Sequence, residues 1–205
     1  MFQKGFIRTL ISASWSGLAA FLSIAIVQIM NQRMIFLSPA DVMPLIGSLG
    51  ASAVLLYAAP HSPLTQPANL VGGHVISAIV GVTVFRFMGD SNWYAAGVAV
   101  AVAIWAMEMS GTLHPPGGAT ALIAVIGSKS VHALGYLYVL YPIASGAIVL
   151  LVVAIIMNRL APGRRYPEWW WKPGVPIDPG DCLWGWTTPA VSNTSGKNKV
   201  PPQPM

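Results

Sequence analysis

The sequence predicts an all-α polytopic membrane protein: four full transmembrane helices plus two short half-helices, re-entrant or crossing, arranged as an internal duplication. Three observations predict it. Of 205 residues, 55% are hydrophobic and 8% charged, whereas an ordinary soluble domain is about 25% charged. The few charges are bunched, and none lies between Arg8 and Arg33, Asp41 and Arg86, Asp90 and Glu108, Glu108 and Lys129, or Lys129 and Arg159. Finally, Gly50-Ala51-Ser52-Ala53-Val54-Leu55 is echoed by Gly118-Ala119-Thr120-Ala121-Leu122-Ile123, 68 positions later.

A full span needs roughly 20 mainly apolar residues. Leu10–Met30 is the first, and Lys4 and Arg8 ahead of it give it the look of a signal peptide. Apolar segments recur downstream, so it reads as an uncleaved first helix. The other full spans are Leu70–Phe87, Tyr94–Met109 and Leu134–Asn158. Between them lie two shorter stretches, Met43–Ala59 and Pro115–Gly127. Each opens on proline and glycine, as suits a helix start whose first amides have no intrahelical partner. Any break at membrane depth must face protein or a watery cavity.

Either count is even, so both termini share a side. Lys4, Arg8, Arg159, Arg164, Arg165 and Lys172 lie near the terminal helix ends, and the positive-inside rule places them in the cytoplasm of a bacterial plasma (inner) membrane. Arg86 is cytoplasmic with four spans and external with six, which favours four. Residues 1–160 form the transmembrane domain and 161–205 a cytoplasmic tail. Pro162, Pro167, Pro173, Pro176 and Pro179 bar regular helix there, Trp169, Trp170 and Trp171 suit an interfacial anchor, and Ser192–Met205 reads as disordered.

The echo extends from Ser77 to Ser145, Val80 to Ile148 and Val84 to Val152. Small residues also recur in membrane helices simply because they permit close contact. Read as a duplication, it makes the repeats parallel if each has two crossings and inverted if each has three. Corresponding glycine- and proline-interrupted segments in two halves point to a transport site.

The most unusual string is His114-Pro115-Pro116-Gly117-Gly118-Ala119-Thr120-Ala121. The prolines bar helix through His114 and set the chain's approach. Gly117 and Gly118 present backbone without side chains, and a helix beginning there offers amides and a partial positive charge to an anion. His114 stands beside this cradle as a hydrogen-bond donor or a proton acceptor. The first short helix supplies a matching set in Ser48, Gly50, Ala51 and Ser52, after Pro44 and Gly47. Gln66, Asn69 and His74, from Pro60–Asn69 and Gly72-Gly73-His74, complete the candidate substrate-binding residues. The competing reading of all of them is tight interhelical packing.

Glu108 closes an apolar span six residues before His114. It reads either as a proton relay with His114 or as an interfacial carboxylate in water. The four histidines His61, His74, His114 and His132 show no HxxxH spacing, and Cys182 is the single cysteine. No metal or other cofactor and no disulfide is expected. GxSxG, HExxH and GxxxxGK[ST] are all missing, so the chain is not expected to be an enzyme. A net charge of +5 spread this thinly makes no nucleic-acid surface.

His114-Pro115-Pro116-Gly117-Gly118-Ala119-Thr120-Ala121, with Gly47-Ser48-Leu49-Gly50-Ala51-Ser52 and Ser62-Pro63-Leu64-Thr65-Gln66-Pro67, resembles the HPP family of integral membrane proteins over roughly Pro39 to Asn158. The resemblance implies a four-spanning region whose plastid and cyanobacterial members are linked to nitrite transport. Other members add regulatory CBS domains, for which this chain has no room. Where the family pattern often has arginine after Gln-Pro, here Ala68 follows Gln66-Pro67, which removes one cation from the case for an anion.

The expected function is therefore transport of a small polar solute, bound at the starts of broken helices, which the resemblance implies to be nitrite or a similar small anion. A neutral-solute pore and a non-transporting membrane module for assembly or sensing are the alternatives. The expected partners are the lipid bilayer and the solute, and small-residue faces also admit a homo-oligomer.

Overall fold

A computed structural model describes residues 2–32, 39–89 and 92–170, with side chains described from 6–32, 47–89 and 92–170. The tail beyond Trp170, including Ser192–Met205 and its expected disorder, lies outside the described residues, as does the side chain of Pro44. The described chain is helical and holds no strand. Its helices are α1 (Phe2–Gln32), α2 (Pro39–Ala58), α3 (Gly73–Met88), α4 (Ala95–Met109), α5 (Pro115–Ile126), α6 (Lys129–Leu134) and α7 (Ser145–Leu160). A π-helical turn leads into α3 (Ala68–Gly72), and another into α7 (Val139–Ala144), the latter opened at Tyr141.

Three helices are long and apolar enough to cross a membrane: Phe6–Gln32 with 27 residues, Ala68–Met88 with 21 and Val139–Leu160 with 22. The expected full span at Tyr94–Met109 is a helix of 15 residues, about 22 Å long. α5 has 12 residues and reaches about 18 Å, against roughly 30 Å of hydrocarbon. The span expected from Leu134 starts later, because Gly135 at φ +50° ends α6.

Six of these helices alternate in direction. Ser16 Oγ of α1 donates to Tyr57 O at the end of α2 (2.7 Å), and Trp15 Nε1 donates to Met157 O near the end of α7 (2.9 Å). At the other end of α1, Tyr141 OH donates to Met30 O, 2.8 Å away. α3 and α5 run side by side, since Gly73 faces His114 while Gly81 faces Ala121 and Ala124. α4 runs against both, with Ala95 packed in the cluster of Val84 and Val125 and with Met107 beside Gly73 and Gly117. α6 caps the far end, where His132 stacks on Phe85 at 3.6 Å. Neither α2 nor α5 turns back on itself. Arg164 therefore marks one end of the bundle and Arg86 the other.

Three apolar clusters hold the helices together. Ala19, Leu56, Tyr57, Leu150 and Ala154 join α1, α2 and α7. Ala95, Ala99, Ala103, Ala121 and Val125 join α4 and α5 to α3, and Ala78, Ile123 and Tyr138 form the third cluster. Alanine dominates where α4 meets α5, so these helices approach closely. Gly81 takes this furthest, for a Cβ there would lie 2.6 Å from Ala121 O. Outward faces carry Phe21, Val54, Trp105 and Ile156, all exposed, as lipid contact requires. Trp93 at one end and Trp170 at the other, also exposed, stand where aromatic belts form.

The start of the expected tail is docked against the bundle. The Arg164 guanidinium donates to Tyr57 O (2.9 Å), Asn158 Oδ1 (3.3 Å), Ser12 Oγ (2.7 Å) and Ser16 Oγ (2.8 Å), pinning the ends of α1, α2 and α7 together. Tyr166 is buried and donates to Thr65 O at 2.9 Å.

Candidate functional site

Local chemistry places His114 inside the bundle. Gly111, at φ +66°, turns the chain after α4. His114 is then extended at φ −139° and ψ 106°, as a residue before proline must be, and Pro115 and Pro116 open α5. Its side chain makes no capping bond to its own helix and reaches inward instead. Asn69 Nδ2 donates to Leu113 O at 2.9 Å, tying this approach to the start of α3. Gly73 admits it, since a Cβ there would sit 2.6 Å from His114 Cβ.

One side chain from each of α2, α3 and α5, with His114 from the turn before α5 and one loop carbonyl, then form a continuous chain of hydrogen bonds. Ser52 Oγ lies 2.8 Å from both His74 Nε2 and His114 Nε2. His74 Nδ1 is 2.8 Å from Thr120 Oγ1, and His114 Nδ1 is 2.8 Å from Leu64 O. Ser52, His74, His114 and Thr120 have 0% exposure, and the two rings meet edge-on at 5.0 Å. An unpaired polar group at such depth costs several kcal/mol, so this is where the fold invests its polar groups.

The proton positions follow from the network. A carbonyl only accepts, so His114 carries its proton on Nδ1 and donates to Leu64 O. With a neutral ring, His114 Nε2 accepts from the Ser52 hydroxyl. Ser52 has then spent its hydrogen and accepts from His74 Nε2–H, which leaves His74 Nδ1 to accept from Thr120. Every link points one way, from Thr120 to Leu64. Ser52 has one alternative acceptor, Ser48 O at 3.3 Å.

The expected cradle of bare amides takes a different form. Pro115 and Pro116 have no N–H to offer, and Gly117 N donates to His114 O at 2.8 Å, so the first turn of α5 keeps few free donors. Gly117 is also closed off, because a Cβ on it would meet Ser77 Oγ at 2.7 Å and Met107 Sδ at 2.9 Å. Gly118 and Ala119 are half-buried and Pro116 is buried, whereas Pro115 and Ala51 are exposed. Gly50 has open space where a side chain would be. Of the candidates, Ser52, His74, His114 and Thr120 converge, and buried Ser48 contributes its carbonyl.

Gln66 and Glu108 stand elsewhere. Gln66 latches the loop, donating to Pro60 O (3.1 Å) and Ser62 O (3.0 Å) and accepting from Glu168 N (2.9 Å). Glu108 is exposed and stands outside the buried chain that holds His114. His61 pairs with Glu168 at 2.8 Å, and His132 donates from Nε2 to Val125 O at 3.0 Å. Among the described residues no three of His, Cys, Asp and Glu cluster as metal ligands.

Sequence reasoning missed the Leu64 carbonyl, Ser77 and Met107, and also Tyr138, whose OH donates to Thr120 O at 2.9 Å. Leu64 lies in the Ser62–Pro67 string and Ser77 in the echo, but a backbone carbonyl and a packing hydroxyl leave no mark on residue type, and Met107 and Tyr138 belong to no motif. The available hint was the Gly-Ala-hydroxyl-Ala echo itself, whose two hydroxyls, Ser52 and Thr120, grip opposite nitrogens of one ring.

Residues 7–167 match the model of the HPP transmembrane region. The chain belongs to the HPP family. It is an integral membrane protein, and the match takes in every residue of the histidine–hydroxyl chain. Two transmembrane proteins of Dictyostelium discoideum are similar to this HPP chain. One is 39% identical over 160 residues, which is 77% of this chain and 50% of the relative. The other is 40% identical over 160 residues, 77% of this chain and 55% of the relative. The HPP chain thus spans about half the length of these relatives. No solved structure matches it.

Proposed function

We propose that this protein moves a small polar solute, nitrite or a similarly small anion, across the membrane, with the Thr120–His74–Ser52–His114 core as the place where it exchanges water for protein donors. One observation carries this reading: four polar side chains with 0% exposure meet inside an apolar bundle. Polar groups within membrane helices are costly and concentrate on solute paths. Imidazole and hydroxyl donors here take the role that backbone amides were expected to fill, and the solute binds by replacing one of the chain's own bonds. No chemical conversion is involved. By the positive-inside rule, the arginines at the Arg164 end favour a cytoplasmic side for that end of the bundle.

Uptake by vesicles tests this. Liposomes containing the purified chain should admit nitrite faster than protein-free liposomes, and His114→Ala should abolish most of the difference. Equal rates with and without protein end the proposal. The packing of Gly117 against Ser77 and Met107 favours a second reading, a non-transporting module. That reading gains if uncharged solutes also fail to cross in a swelling assay.

A further inference from the structure

The buried core has two protonation states that use the same atoms at the same distances. From this we infer that Thr120, His74, Ser52 and His114 form a proton relay, and that the proton travels together with a small anion. The relay's chemistry stands on geometry alone; its use in cotransport rests on the transport reading above.

In the neutral state each link donates toward Leu64. Let the conjugate acid of the small anion give its proton to Thr120 Oγ1, becoming the anion as it does so. Thr120 passes its own hydrogen to His74 Nδ1, His74 releases its Nε2 hydrogen to Ser52 Oγ, and Ser52 hands its hydrogen to His114 Nε2. One proton has entered. Each hydroxyl still holds one hydrogen, His74 is neutral in the other tautomer, and His114 is an imidazolium. Three bonds have reversed direction, all at 2.8 Å, and His114 Nδ1–H still donates to Leu64 O. No heavy atom has to move. The competing route, with Ser52 turned to Ser48 O, uses a longer contact of 3.3 Å and leaves the tautomer of His74 unchanged.

The surroundings decide what accompanies the charge. On α2 the nearest other ionisable side chain is Tyr57, at the helix's far end, and on α3 it is Arg86, at the opposite end of the bundle. Glu108 of α4 is exposed, and α5 carries no ionisable side chain. In the loop below, exposed His61 is engaged with Glu168. Tyr138 uses its hydroxyl on Thr120 O and Tyr141 on Met30 O, while α7 has no ionisable side chain before Arg159. No carboxylate among the described residues faces His114. An imidazolium buried there finds no counter-charge among the described side chains, and a small anion supplies it. Proton and anion then move as a neutral pair, which the membrane potential does not oppose.

Nitrogen-15 NMR of histidine-labelled full-length chain in nanodiscs reads the tautomers directly. Without anion near neutral pH, His114 should carry hydrogen on Nδ1 and His74 on Nε2. Adding sodium nitrite while acidifying should protonate both nitrogens of His114 and move the His74 hydrogen to Nδ1 in a single transition. Thr120→Val should abolish the His74 switch and Thr120→Ser should restore it, while the fold is checked by helix content. If His74 keeps Nε2–H as His114 charges, the relay is wrong. A pH dye trapped in proteoliposomes supplies the second readout. Nitrite entry with no proton beyond that seen in protein-free vesicles overturns the cotransport. A tautomer switch with no nitrite flux would sink the transport reading and leave the relay standing.

Discussion

α2 and α5 carry the same Gly-Ala-hydroxyl-Ala pattern and aim it at the same imidazole, yet they are built into the bundle differently. Ser52 of α2 touches His74 Nε2 and His114 Nε2, whereas Thr120 of α5 touches His74 Nδ1 alone. α5 packs backbone against backbone, with Ala121 O where a Cβ on Gly81 would be. The corresponding contact of α2 is softer, because a Cβ on Gly146 of α7 would meet the tip of the Leu49 side chain at 2.6 Å. α5 is thus a fixed wall, and α2 is a helix seated through side chains that can adjust. A polar core between a rigid partner and a compliant one is expected to yield first on the α2 side.

The largest effect should come from the hydroxyls. Ser52→Ala leaves two buried ring nitrogens without a partner and should cost about 3–4 kcal/mol, at roughly 1–3 kcal/mol for each orphaned group. Thr120→Val orphans one nitrogen and should cost about 1–2 kcal/mol. Because both act on His74, the double variant should lose less than the sum. Detergent-titrated unfolding measures all three. Equal losses for the two single variants would erase the asymmetry between the helices.

Glycine substitutions come next. Gly81→Ala forces a Cβ onto Ala121 O and Ala124 Cβ, 2.6 and 2.7 Å away, and should cost about 2–3 kcal/mol because the backbone has to give. Gly146→Ala meets only Leu49 methyls, which can rotate, and should cost less than about 1 kcal/mol. Midpoints of thermal unfolding in one detergent decide the matter, and similar shifts would mean that α2 is as firmly seated as α5.

How much of this was readable beforehand differs between fold and site. Helix positions followed from the charge-free runs, because hydrocarbon tolerates little else. Span number did not, since it was weighed on Arg86 alone, and one arginine at a helix end can find local company. Its guanidinium lies 4.9 Å from the Tyr136 ring. The four residues of the core were all singled out, but their convergence depends on α2 crossing the start of α5, a long-range fact that no local string encodes. The amides of α5 were over-read because the two prolines delete the donors that a helix start otherwise offers. Gln66 shows a general limit: an amide side chain that staples a loop and one that binds a solute look alike in sequence.

The smallest effect concerns the Arg164 end, where a docked segment covers the end of α2 and the loop that follows it. Tyr166→Phe removes one buried hydrogen bond, to Thr65 O, and should cost about 1 kcal/mol at neutral pH. Burial raises the Tyr166 phenol above its ordinary value of 10.0, so the folded state holds that proton more tightly than the unfolded chain does. The contribution is therefore complete below pH about 10 and is lost as pH rises further. Wild type should show a steeper alkaline loss of stability than Tyr166→Phe, and the two curves should converge as the pH climbs past that of the free phenol. Parallel curves would mean that the Tyr166 ring is held by packing alone, leaving the Arg164 bonds as the segment's polar lock on the helix ends it covers.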